Sequence, residues 1–313
     1  MLAFFLKRLA SLVFTMLVVS ALVFAAFEFT PGQMATKILG PFSTQDQRDR
    51  LMEELGLHRP VWERYFEWLG NVLSGDLGYS TLYKLPVNDI IWDRLGNTLT
   101  LAAIAFAVMV PLSVLFGISA GMREGSKLDR TISVASIVTT SVPEFASGVF
   151  LASIFVIGLG WLPGTATLEA GARWPIAAQL VLPVTVIVLY DLGYVVRMVR
   201  ASMVEVMTRP YIRTAILKGL TFRDVILKHA LRNAMIAPFT VILLQINYMI
   251  TGVVVVEAVF AYPGFGRMLL DSALSQDVAT VQAASLFAVL VSVSTQIAGD
   301  LGYMMLNPRI RFS

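Results

Sequence analysis

Six long apolar runs punctuate the chain, at about residues 9–27, 98–120, 131–162, 176–196, 234–256 and 278–306. A helix needs roughly 20 apolar residues to cross the hydrocarbon of a bilayer, so the pattern predicts six membrane-spanning helices. The third and sixth runs are long enough to tilt or break. Pro111, Pro143, Pro183 and Pro238 fall within or near runs, where neighbouring helices can satisfy the carbonyls that proline frees. Between the first two runs, "STQDQRDRLMEELGLHRPVWERYFEWLGNVL" predicts two short amphipathic helices. Ser43 and Asp46 have capping-box spacing, and Gly56 suits the position just past a helix end. Pro60 opens the second helix, with Trp62, Tyr65, Phe66 and Leu69 on one face. "SGDLGYST" is turn chemistry.

Charge orients the runs. With the N-terminus inside, the inner segments hold Lys7, Arg8, Arg123, Lys127, Arg130, Arg197, Arg200, Arg209, Arg213, Lys218, Arg223, Lys228, Arg232, Arg309 and Arg311. These are fifteen of the 24 Lys and Arg, while the two short outer loops hold only Arg173 and Arg267. This asymmetry predicts cytoplasmic N- and C-termini. The chain then divides into a cytoplasmic start with a first helix (1–29), an external helical segment (30–97) and a five-helix core (98–313). The first run is too long for a signal-peptide core and reads as a retained span.

The most basic stretch, "PYIRTAILKGLTFRDVILKHALRNA", lies between the fourth and fifth runs. Pro210 fits a first helical turn. Tyr211, Thr214, Ala215 and Lys218 share one face, with Ile212, Ile216 and Leu217 on another. Gly219 stops the helix, and Thr221 with Asp224 starts the next. A helix–glycine–helix loop over 197–233 is too long for an ordinary connection. It suits either docking to a cytoplasmic protein or holding anionic lipid.

Composition removes other classes. Hydrophobic residues make up 57% and charged residues 14%, and mean hydropathy is +0.73, so lipid is the main solvent. With no cysteine, thiol and thiolate chemistry are excluded. No G-x-x-x-x-G-K-[ST] occurs, so energy comes from a partner or an ion gradient. "GISAG", residues 117–121, matches G-x-S-x-G but sits in a spanning helix, not on a nucleophile elbow. His58 and His229 fall on opposite sides of the membrane, and His229 reads as a loop-packing residue. No cofactor or metal site is expected in this chain.

Acids in or near spans each demand an explanation, because hydrocarbon penalises an ionised carboxylate. Glu28 and Glu257 lie at outer ends, where they reach the interface. For Glu257, a hydrogen bond to the following turn is the simpler reading. Glu144 lies deeper. Ser141–Val142–Pro143–Glu144 has capping-box spacing, so the third span breaks here with Glu144 capping the new helix start; alternatively, or in addition, Glu144 lines a pathway and attracts a cationic group of the solute. Asp191 and Asp300 each stand in a local "DLGY" near an inner end. They either pair with cytoplasmic arginines or line an inner cavity.

The basic loop resembles the cytoplasmic loop of ABC-importer permeases of the dipeptide/oligopeptide/nickel branch. The resemblance covers the whole chain through "KRL", "LGLHRPVWERYFEWL", "SGDLGYS", "PVNDIIWDRLGNTLTL", "SVPEF", "LGWLPG", "VVVVEAVFAYPGFGRMLLDSA" and "NPRIRFS". It implies an all-α, polytopic type I importer permease fold in the cytoplasmic (inner) membrane of a bacterium or archaeon. It also implies a second related permease, two ATPase subunits that bind ATP and Mg, and an external substrate-binding protein. Tyr211, Arg213, Thr214, Ala215, Lys218, Gly219, His229, Arg232 and Asn233 match the ATPase-coupling loop. Arg213 stands where the broader family often has Glu, and Pro210 replaces an acid before the tyrosine. Glu144, Asp191 and Asp300 are the candidate pathway residues; of these, only an acid at Asp300 fits the branch. Peptide is the default cargo, with nickel chelates, oligosaccharides and opine-like solutes as alternatives. A proton-coupled transporter using the three acids as a relay is the competing class.

Overall fold

A computed structural model describes residues 2–28, 39–40, 42–54, 59–169 and 173–306. These residues form helices joined by turns, with one isolated antiparallel bridge, Tyr79 to Pro86. The helices are α1 (Leu2–Glu28), α2 (Gln45–Glu54), α3 (Val61–Leu73), α4 (Val87–Gly121), α5 (Lys127–Ser141), α6 (Glu144–Gly158), α7 (Ile176–Met207), α8 (Pro210–Leu217), α9 (Phe222–Ala234), α10 (Ile236–Thr251), α11 (Val254–Val259), α12 (Phe265–Leu274) and α13 (Val278–Leu306). Four described helices, α1, α4, α7 and α13, are long and apolar enough to cross a membrane; six spans result if each of two bent pairs counts as one.

One bent pair occupies the third apolar run; the other joins the end of the basic loop to the fifth. α5 and α6 meet at 101°, and α9 and α10 at 57°. The first break follows from Pro143, which has no N–H to donate and forces extended backbone before it; Val142 has φ −89° and ψ 124°. The break lies where the sequence places it, but the cap differs. Ser141 ends α5 and donates to the Ile137 carbonyl at 2.7 Å. Pro143 occupies the N-cap with no side-chain capping bond, and Glu144 opens α6. The capping box expected at Ser43 likewise forms one residue later, where Thr44 N donates to Gln47 Oε1 at 2.9 Å. Gly56 and His58 lie outside the described residues.

Two helices outrun their apolar cores. α4 begins eleven residues before the run because Val87, Ile90, Ile91 and Leu95 form a buried stripe at helical spacing. α7 continues to Met207, so Arg197 and Arg200 sit on its C-terminal part rather than in a loop, and Val199 and Met203 are fully buried there.

The chain packs as two compact units: residues 1–95 with 268–293, and residues 96–267 with 294–313. In the first unit, α3 packs on α1 through Phe24, whose ring centroid lies 5.5 Å from Tyr65 and 5.6 Å from Trp68. The Ser20 and Tyr65 hydroxyls hydrogen-bond at 2.8 Å. Trp62 and Phe66, on the same predicted apolar stripe as Tyr65, are exposed. Buried Asp277 accepts from Ser80 Oγ at 2.5 Å, Thr81 N at 3.2 Å and Thr280 Oγ1 at 2.7 Å, pinning the glycine-rich turn.

In the second unit α7 is the central helix, and small residues let it approach its neighbours closely. A Cβ added at Gly117 of α4 would lie 2.5 Å from Val199 Cβ, and one at Gly121 would lie 2.7 Å from Met203 Cβ. "GISAG" is therefore a small-xxx-small packing stripe. Gly193 of α7 similarly abuts α5, where an added Cβ would meet Ser136 O at 2.4 Å. Replacing Gly117 or Gly121 with Val overpacks these helix–helix approaches and is expected to cost about 1–3 kcal/mol. The readout is a lowered Tm of the purified protein in detergent. Gly70→Ala, in open space on α3, should leave Tm unchanged or raise it.

Candidate coupling surface and translocation cavity

The basic loop is a folded hairpin. Arg209 is the N-cap of α8 with Pro210 in its first turn, and Gly219 ends the arm at φ +79°, a left-handed conformation that favours glycine. Thr221 then caps α9: Asp224 N donates to Thr221 Oγ1 at 3.2 Å, and the hydroxyl donates back to Asp224 Oδ2 at 2.6 Å. Residues Val225–Ala230 form a π-helical turn. Asn233 Nδ2 ties the two arms, donating to Tyr211 Oη at 3.0 Å and to the His229 carbonyl at 3.2 Å.

One stripe of α8, Ile212 and Ala215, is buried with Val225, Ile226, Ala230 and Ala234 in the core cluster that also holds Val199 and Met203. Three residues separate Ile212 from Ala215, which keeps them on one helical face. Ile212 thus parts from Ile216 and Leu217, the residues it was expected to accompany. Those two face out, Leu217 being 79% exposed, and Leu220 and Phe222 continue the apolar ridge across the glycine. Arg213, Thr214, Lys218 and Arg232 are also exposed, and Thr214 Oγ1 donates to the Pro210 carbonyl at 3.1 Å. No ion pair forms on Arg213 among the described residues. Exposed apolar residues and exposed cations thus share this arm, which makes it a candidate interaction surface.

A cavity of about 440 Å³ opens between α7 and α10; its lining includes Thr140, Tyr190, Asp191, Arg197, Gln245 and Tyr248. Asp191 is fully buried. Its partner is not a cytoplasmic arginine but Gln245, whose Nε2 donates to Oδ1 at 2.5 Å. Tyr190 and Tyr248 stack at 5.7 Å. Glu144, nearly buried at the start of α6, interacts with the Tyr248 hydroxyl and with the charge of Asp191. Two of the three predicted acids therefore come together. Asp300 lies on α13, and its side chain is outside the described residues.

The neighbouring arginines are otherwise engaged. Arg197 donates to the Gly193 carbonyl at 3.2 Å and Thr140 Oγ1 at 3.5 Å. Arg200 makes a two-pronged bond to Asp129, with Nε to Oδ1 at 2.5 Å and Nη2 to Oδ2 at 2.7 Å. This brace between α5 and α7 was missed in the sequence, although Ser126 caps α5 through Asp129 N at 3.1 Å and "SKLD" has capping-box spacing. Gln245 and Tyr248 were missed too. Their signal was polar residues three apart, hence on one helical face, inside an apolar run.

Glu257 does not reach the interface. It is fully buried, accepting from Thr98 Oγ1 at 2.5 Å and from Arg267 N at 2.9 Å; the second is the expected bond to the following turn. A Cβ at Gly264 would fall 2.0 Å from its Oε1, so only glycine fits. Tyr262 closes the same turn by donating to the Asn97 carbonyl at 2.7 Å. Burial, then the nearby Glu257 carboxylate, push its phenol up to about 12.

Comparison with known proteins places this geometry. Residues 113–312 match the family described as "Binding-protein-dependent transport system inner membrane component", and residues 1–102 match its N-terminal companion. The chain belongs to this family of inner-membrane transport components. It is 32% identical over 316 residues to the oligopeptide transport system permease protein AppB of Bacillus subtilis, covering 100% of both chains. It is 35% identical over 319 residues to the glutathione transport system permease protein GsiC of Escherichia coli, again covering 100% of both. A structure of the MetNI methionine ABC transporter in inward-facing conformations shares the fold, with TM-score 0.52, 18% identity, 70% of this chain covered and 95% of that one.

Two outcomes check the site. Asp129→Ala leaves Arg200 half-buried without its partner and should cost about 2 kcal/mol, seen as a lowered Tm; Asp129→Glu should recover part of it. Tyr262 is neutral below its unfolded value of about 10, so the stability linked to its raised folded value is complete there and is lost as pH rises from 10 through about 12. Alkaline unfolding followed by tryptophan fluorescence should lose this component in Tyr262→Phe.

Proposed function

We propose that this chain is one of two permease subunits of an ATP-driven importer of peptides. It would form six spans, counting each bent pair as one, with both termini cytoplasmic, as the distribution of Lys and Arg supports. Cargo arrives on an external binding protein, a second related permease completes the pathway, and two separate ATPase subunits bind ATP and Mg. The relatives named for oligopeptide and glutathione transport support a peptide cargo. Glu144, Asp191 and Asp300 line the pathway.

The observation that carries the reading is the exposed ridge Ile216, Leu217, Leu220 and Phe222 about Gly219, beside exposed Arg213 and Lys218. It is seated on a buried stripe that packs with α7. An ATPase subunit that grips the ridge moves the helix bearing Asp191, which couples nucleotide-driven closure to the cavity. Tyr211, Thr214, Ala215, His229, Arg232 and Asn233 shape and brace the same hairpin. The adjacency of Glu144 and Asp191 is the feature that favours a proton relay as the second reading.

Uptake in proteoliposomes containing the assembled importer separates the two. Import should require ATP and survive a protonophore; uptake by this chain alone, abolished by a protonophore, would refute the importer reading. Leu217→Glu should weaken ATPase association about tenfold or more, the usual scale for burying an unpaired charge at an interface, while membrane insertion is unchanged. Gly219→Val should preserve insertion and lower coupled uptake.

A further inference from the structure

The cavity beside α7 is electrically polarised. Asp191 lines it, with the Glu144 carboxyl near enough to act on Asp191 from outside the lining, and Arg197 lines it six residues further along α7, about 9 Å of helix rise. The stacked rings of Tyr190 and Tyr248 contribute to the lining. Asp191 is fully buried, and Gln245 satisfies only Oδ1; Oδ2 has no hydrogen-bond partner among the described residues. A buried carboxyl group is stabilised by donors to its oxygens, by an opposite charge or by taking up a proton. The unpartnered Oδ2 leaves one acceptor position for a donor from the cavity.

We propose that this cavity is a transient site for the amino end of the cargo. The ammonium of a peptide's first residue donates to Asp191 Oδ2. Glu144 adds negative charge, and the tyrosine faces attract the cation. Arg197 meets the carbonyl or carboxylate end of the same short segment. Two extended residues span about 7 Å, comparable with the roughly 9 Å of helix rise from Asp191 to Arg197, and the volume of about 440 Å³ falls within the range of small-ligand pockets. An ammonium group needs three acceptors, whereas a hard divalent cation takes six or more oxygens, so the lining suits an amine better than a metal ion. The proposal rests on the peptide-import reading above.

The test uses the complete importer in proteoliposomes, with its ATPase subunits and binding protein, supplied with radiolabelled Ala-Ala-Ala and its N-acetyl analogue. The quantity compared is the free-to-acetylated uptake ratio in wild type and variant. The binding protein is common to both, so its own preference cancels. Asp191→Asn should lower this ratio about tenfold, the scale of one lost charged hydrogen bond. Glu144→Gln should lower it by a smaller factor. If Asp191→Asn does not assemble, Glu144→Gln alone decides the matter. An unchanged ratio overturns the proposal even when both uptake rates fall, because a purely structural role moves both peptides equally. A wild-type importer that carries neither peptide overturns the peptide reading and this proposal with it; one that carries both, with variant ratios unchanged, overturns this proposal alone.

Discussion

A carboxylate in a low-dielectric interior must be met by donors or cations, and the structure is organised around how it meets that demand. Glu257 receives a hydroxyl and a backbone N–H and closes the turn before α12. Asp129 receives a guanidinium and joins α5 to α7. Asp277 gathers Ser80, Thr81 and Thr280 around the glycine-rich turn. Three buried acids thus act as knots between segments distant in sequence. Asp191 is met less fully. One amide answers one of its oxygens, and a cavity lies beside it.

The second constraint is backbone proximity. α7 can carry cavity residues on one part and the hairpin's seat on another only if its neighbours come close, and Gly117, Gly121 and Gly193 permit that. From Asp191 to Met203 is twelve residues, about 18 Å of continuous helix. Ile212 and Ala215 belong to the same buried cluster as Met203. One continuous helix therefore joins the buried seat of the hairpin to the lining of the cavity.

Much of this was legible because the governing signals are local. The apolar runs mark the helices, since length against bilayer thickness is a one-dimensional property. Arg209–Pro210, Gly219 and Thr221–Asp224 behave as their turn chemistry requires, because capping involves residues three or four apart. Local signals failed where two caps competed. Ser141 preferred its own helix carbonyl to capping α6, and Thr44 displaced Ser43. They were incomplete at faces: Trp68, outside the predicted stripe, joins Tyr65 against Phe24, and Ile212 parts from Ile216 and Leu217.

By itself, the sequence determined that lipid is the main solvent, that the third run breaks at Pro143 and which loop carries the cations, because these depend on composition and short spacings. Tertiary structure decided which acid meets which partner. Asp191 found Gln245, fifty-four positions away, rather than an arginine on its own helix; Asp129 claimed Arg200; and Glu257 turned inward. It also converted "GISAG" from a hydrolase-like pattern into a packing stripe. The reason is the same in each case: a buried charge or a missing side chain acquires meaning only from the atoms that face it, and those are set by how the helices pack.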